Sequence, residues 1–76
     1  MYLPVTKRLP RLLLSMAATY GSDTVPLTQD DLAGLCGATR QTVNQLLAEM
    51  QADDIISVAR GRVLLLDRAR LERAAR

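Results

Sequence analysis

The sequence predicts a mainly α fold carrying one small β-hairpin, and three observations predict it. Apolar residues between Leu9 and Tyr20 recur at helical spacing. Two shorter helix-forming stretches meet at Gly37, with a threonine placed to start each. Toward the C-terminus two β-prone runs, IISVA and RVLLL, flank Arg60 and Gly61.

The elements follow in order. Leu9, Leu12, Leu13, Met16, Ala17 and Tyr20 stand at i, i+3, i+4, i+7, i+8 and i+11, which predicts a helix buried on one face. Pro10 is expected in its first turn, or else bending it, because proline removes a donor and crowds the preceding turn. Gly21 closes it. GSDTVP reads as a loop, and residues 25–27 as a short strand. Thr28 followed by Asp31 is a helix-start pattern, and Asp30 and Asp31 suit the positive end of the dipole. That helix is expected to run to about Cys36, with Leu32, Leu35 and Cys36 inward. Gly37 ends it in a left-handed conformation. Thr39 caps the next helix, whose buried stripe is Val43, Leu46, Leu47 and Met50. After Asp53 and Asp54 the hairpin begins, and Asp67 starts a last short helix with Leu71 and Ala75 inward. A helix, a short turn with glycine and a second helix make a helix-turn-helix, and a hairpin after it makes the fold winged. One domain over residues 1–76 is expected, with the helix-turn-helix at about 28–51, the wing at about 55–66 and the last helix at about 67–75.

The chain has 76 residues, 49% of them apolar, and only Tyr2 and Tyr20 are aromatic, so the core must be aliphatic. A domain of this size buries only about 60% of its unfolded surface, which leaves a thin stability margin. The net charge of +2 is too small to name a partner, but the charges are unevenly placed. Residues 1–22 hold Lys7, Arg8 and Arg11 and no acid; residues 23–54 hold six acids against Arg40 alone; the remainder holds six arginines against Asp67 and Glu72. Cys36 is the only cysteine, which excludes an intrachain disulfide and fits a reducing, cytoplasmic compartment. No apolar run reaches transmembrane length. Residues 7–18 imitate a secretory signal, but the apolar run is short, and cleavage would remove the longest helix of a very small core.

Catalysis is not expected. The chain has no histidine, so the commonest general base and the usual metal ligand are both missing. One cysteine cannot build a zinc site, and the lone glycines are not a phosphate loop. DNA binding, by contrast, finds candidates for each requirement. Arg40, Gln41, Asn44 and Gln45 share one face of the third helix with small Ala48, and that face has no acid. Arg can donate twice to guanine, and Gln or Asn can pair with adenine, in the major groove. An amphipathic helix would also show a polar face without any such role. Thr28, Gln29, Thr39 and Thr42 sit at helix starts, where backbone N–H groups favour phosphate. Arg60 and Arg62 flank the wing tip, and Lys7 and Arg8 the first helix. Arg68, Arg70, Arg73 and Arg76 are more simply a solvated helix end.

The run LTQDDLAGLCGATRQTVNQLLAEMQADDIISVARGRVLLLD resembles the winged helix-turn-helix of the cyclic-AMP receptor protein / fumarate–nitrate regulator (Crp/Fnr) family. GATRQTV is similar to its Gly-x-Ser/Thr-Arg-Glu-Thr-Val signature, and YLPVTKRL to its hinge and following helix start. The resemblance implies a bacterial transcription regulator that binds a palindromic double-stranded DNA operator as a homodimer. It implies a hinge remnant at residues 1–5 and an excised DNA-binding domain with no cofactor of its own. Alone, the domain is expected to be monomeric, since it has no long apolar heptad. A cyclic nucleotide or other effector would bind a sensor domain absent from these 76 residues. Arg40 falls on the family's guanine-reading position. Thr6, Thr28, Gln29, Thr39 and Thr42 fall on phosphate-contacting positions, and Arg60 and Arg62 on the basic wing tip. Gln41 and Gln45 stand where Glu and Arg are common, and Asn44 where some members have Gly, which implies a different half-site. The short GSDTVP loop weakens the contact with RNA polymerase that some family activators make there. The alternative is a winged helix that docks a protein partner, since fold does not fix function.

Overall fold

The computed structural model describes residues 3–76; Met1 and Tyr2, with which the expected hinge at residues 1–5 begins, lie outside the described residues. The order is α1 (Val5–Tyr20), β1 (Thr24–Val25), α2 (Gln29–Cys36), α3 (Arg40–Ala52), β2 (Ile56–Ala59), β3 (Arg62–Leu65) and α4 (Arg68–Ala75). The mainly α winged helix-turn-helix expected from sequence is therefore the fold observed.

Helix α1 starts earlier than its apolar pattern suggests. The Pro4 carbonyl accepts from the Lys7 and Arg8 amides at 2.9 and 3.0 Å, so Pro10 falls in the second turn rather than the first. Its ring cannot supply the bond that would reach the Thr6 carbonyl. The ring is instead buried beside Leu9 and Leu13, and apolar burial offsets the missing bond. Gly21 at φ 62° and Gly37 at φ 66° end α1 and α2 in the left-handed region, where a side chain would be strained.

One correction concerns α2. Leu35 was expected inward but is 58% exposed, and Ala33 is buried in its place. Positions 32, 33 and 36 form the inward stripe at 3.6 residues per turn, and position 35 falls on its flank. Tyr20, at the C-terminal end of the α1 stripe, is also exposed.

The sheet has three strands in the order β1-β3-β2, so the short first strand joins the hairpin. Val25 pairs with Val63, and Ala59 with Arg62 across the tip. The core is aliphatic, with Leu9, Leu13, Val25, Leu32, Val43, Leu47, Ile56, Val63 and Leu71 at or near zero exposure. Cys36 lies in it, and burial pushes its thiol above the ordinary value despite the opposing charge of Arg8.

Four cations of the basic ends are held in internal polar contacts. Lys7 Nζ donates to the Arg76 carbonyl and Arg11 Nε to the Ala75 carbonyl at 2.6 Å, which complements the negative end of α4. Arg68 pairs with Asp23 at 2.5 Å, and Arg70 donates to the Asp53 carbonyl at 2.7 Å.

Candidate functional site

Three elements converge on a cleft of about 410 Å³: the start of α2, the first residue of α3 and the tip of the β2–β3 hairpin. Thr28, Gln29, Asp30, Arg40, Arg60 and Arg62 all line it. Local chemistry fixes each contributor. The start of α2 is held by a reciprocal capping box. The Thr28 amide donates to Asp31 Oδ2 at 3.0 Å, and the Asp31 amide donates to Thr28 Oγ1 at 3.1 Å. Hydrogen bonds from the Thr28 backbone and then its side chain hold the Asp31 carboxyl below its usual range.

The start of α3 is capped by Thr39, whose Oγ1 accepts from the Thr42 amide at 3.2 Å. The two hydroxyls are also hydrogen-bonded to each other at 3.0 Å. Thr39 is thus tied to the helix as its cap, whereas the Thr42 hydroxyl can turn outward. At the hairpin tip Gly61 has φ 73°, a conformation that favours glycine and keeps Arg60 and Arg62 on either side of a tight turn.

The wing is also tied to α3. Strand β2 is an edge, and in its register the Ala59–Arg62 pair next to the two-residue turn faces inward. The Val58 N–H therefore points away from β3, and Gln51 Oε1 accepts from it at 2.6 Å. Sequence reasoning missed Gln51, because nothing in its spacing shows that the end of α3 meets a sheet edge.

Arg40 has a partner that sequence reasoning also missed. Its Nε lies 3.4 Å from Asp30 Oδ1, with the two side chains 64% and 69% exposed. The two residues belong to the first turns of consecutive helices, and only the folded turn at Gly37 brings those turns together. Among the described residues neither Arg60 nor Arg62 forms an ion pair.

The other candidates on α3 and α1 do not line this cleft. Gln41 and Gln45 are exposed on α3. Asn44 is half-buried, and its Oδ1 is enclosed without a hydrogen-bond partner among the described residues. A two-point contact with a base needs both amide atoms outside, so Asn44 must rotate to make one. Thr6 lines a separate hollow of about 230 Å³ beside Glu49, Met50 and Asp53, at the opposite end of α3.

Comparison with known proteins places this geometry. A family model described as the Crp-like helix-turn-helix domain matches residues 7–74. A CRP-like cAMP-activated global transcriptional regulator of Mycobacterium tuberculosis is 37% identical over 79 aligned positions. That match covers 95% of this chain and 35% of the regulator, so the chain spans about a third of the length of that relative. Among solved structures, a CRP-family transcriptional regulator from Thermus thermophilus superposes with a TM-score of 0.88 at 30% identity. It covers 97% of this chain and 41% of its own. A regulator assigned to the crp/fnr family from Eubacterium rectale gives a TM-score of 0.92 at 25% identity, over 99% of this chain and 35% of its own. From the capped helix pair, the wing beside it and these matches, the chain belongs to the Crp-like helix-turn-helix domain family.

Proposed function

We propose that this chain is the DNA-binding domain of a Crp/Fnr-like transcriptional regulator and binds double-stranded DNA with sequence specificity. In this reading α3 enters the major groove and the wing rests on the phosphate backbone. The observation that carries it is the cleft: Arg40 at the exposed start of α3 shares it with Arg60 and Arg62 of the wing and with the capped start of α2. Base reading falls to Arg40, Gln41 and Gln45, with Asn44 joining after rotation. Phosphates are gripped by Arg60, Arg62, Gln29, Thr42 and the helix starts at Thr28 and Thr39, while Thr6 serves backbone beyond the far end of α3. The operator is palindromic and read by a homodimer of the longer protein, whose effector binds outside these residues. A single copy binds weakly, because one half-site lacks the avidity of two.

The test is selection of binding sites from a random duplex library by the chain fused to a dimerising coiled coil. An enriched palindrome supports the reading, with adenine gained where Gln41 and Gln45 reach. Arg40→Ala is expected to cost about 1–3 kcal/mol on the selected site and to relax choice at one base pair. Equal losses on selected and random duplexes would remove base reading from Arg40.

A further inference from the structure

The cleft that gathers Arg40, Arg60 and Arg62 also contains an acid, Asp30, and a surface built only to hold phosphate would not. Asp30 is not needed for the helix cap. Thr28 and Asp31 complete the capping box between themselves, and the contact found for the Asp30 carboxylate is with Arg40 Nε at 3.4 Å. Resting on the DNA-binding reading above, we propose that Asp30 is a specificity-determining residue that acts through Arg40. It holds the guanidinium when no matching base is present and releases it to one that is.

The balance of strengths makes this workable. The pair is solvent-exposed on both sides, so it is weak and comparable to a single exposed contact with a phosphate. A lone phosphate therefore gains little by capturing Arg40 from Asp30. A guanine edge offers two parallel acceptors in a site from which water is expelled, and it outcompetes the carboxylate. Asp30 also repels any backbone that settles into the cleft without engaging Arg40. Both effects penalise random sequence more than the correct site, the mark of a residue that lowers affinity in exchange for discrimination.

The experiment measures affinity for two duplexes at fixed salt: the site enriched from a random library and a scrambled duplex of equal length. Asp30→Asn, Arg40→Gln, the double variant and Asp54→Asn are compared with the wild type, and circular dichroism verifies folding. Asp54 lies outside the cleft and controls for the loss of one negative charge. Asp30→Asn is expected to tighten scrambled DNA by about fivefold and the enriched site by less than about twofold. Asp54→Asn should shift both duplexes alike. With Arg40→Gln in place, Asp30→Asn should also shift both alike, because its effect on discrimination runs through Arg40. Equal tightening of both duplexes by Asp30→Asn with Arg40 present overturns the proposal and leaves DNA binding intact. So does a loss of discrimination that persists without Arg40. Failure to enrich any duplex overturns the DNA-binding reading and this one with it.

Discussion

The two threonines at the start of α3 carry different burdens, and a pair of substitutions separates them. Thr39 Oγ1 accepts from the Thr42 amide at 3.2 Å and shares a hydrogen bond with Thr42 Oγ1 at 3.0 Å. Its oxygen is therefore committed to the helix as the cap. The Thr42 hydroxyl can turn to donate outward, next to a helix N-terminus that attracts anions. Thr39→Ala removes the cap and is expected to cost about 1 kcal/mol of stability, within the usual range of roughly 0.5–2 kcal/mol. A chain of this length unfolds with an entropy of about 160 cal/mol/K, so the melting temperature should fall by about 6 °C. Thr42→Val keeps the shape and the capped amide. It removes only an exposed side-chain contact, so it should shift the melting temperature by less than about 2 °C.

DNA affinity should respond in the opposite order. A hydrogen bond to a charged acceptor contributes about 1.5–3 kcal/mol, so Thr42→Val should weaken binding by at least about tenfold. Thr39→Ala should weaken it far less once both variants are compared well below their melting temperatures. Thermal unfolding followed by circular dichroism and fluorescence anisotropy with a labelled duplex at fixed salt supply the two axes. Loss of affinity in Thr39→Ala with retention in Thr42→Val would refute this division of roles.

Three further outcomes follow from named contacts. Arg60→Ala should weaken all duplexes alike and reduce the slope of log affinity against log salt by about 0.9, the share of one phosphate, read from a salt titration. Asp31 has a depressed pKa in the folded state, so its stabilisation is present above the unfolded value and is lost as pH falls through the folded one. Asp31→Asn should therefore narrow its stability gap to wild type as denaturant midpoints are taken from about pH 6 to about pH 2. Asp54 sits at φ 59° between α3 and β2, so Asp54→Val should destabilise by about 1–2 kcal/mol in chemical denaturation, while Asp54→Asn stays near neutral.

Periodicity and punctuation made most of this fold legible. The caps Thr28, Thr39 and Asp67 and the glycines at 21, 37 and 61 each act within a few residues of their own position, so sequence alone locates them. Pro10 could not be placed to the turn because its penalty is local while its compensation, burial of the ring, is tertiary. Leu35 misled because eight residues of helix leave the direction of the buried stripe loosely determined. The pairing of β1 with β3 joins segments some forty residues apart in sequence, and no local signal encodes it. The candidate site divides in the same way. Which residue types could bind was visible on the α3 face and at the wing tip. That Asp30 meets Arg40 and Gln51 meets Val58 emerges only when the turn and the sheet edge are in place.

The charge distribution shows why assembly matters more than count. By number, the basic ends of the chain hold nine of its ten cations, since Arg40 alone lies in the acidic middle. Yet Lys7 and Arg11 cap the end of α4, Arg68 pairs with Asp23 and Arg70 braces the Asp53 carbonyl. Of the cleft's three arginines, Arg60 and Arg62 hold no ion pair among the described residues, and Arg40 holds a weak one. A net charge of +2 spread evenly would attract DNA feebly and without orientation. Placing three arginines on one cleft, while Lys7, Arg11, Arg68 and Arg70 are held in internal contacts, gives the surface a direction of approach. Gln51 then ties the wing to α3, so in the proposed complex the two arginines at its tip would meet the DNA backbone in the register that the helix sets.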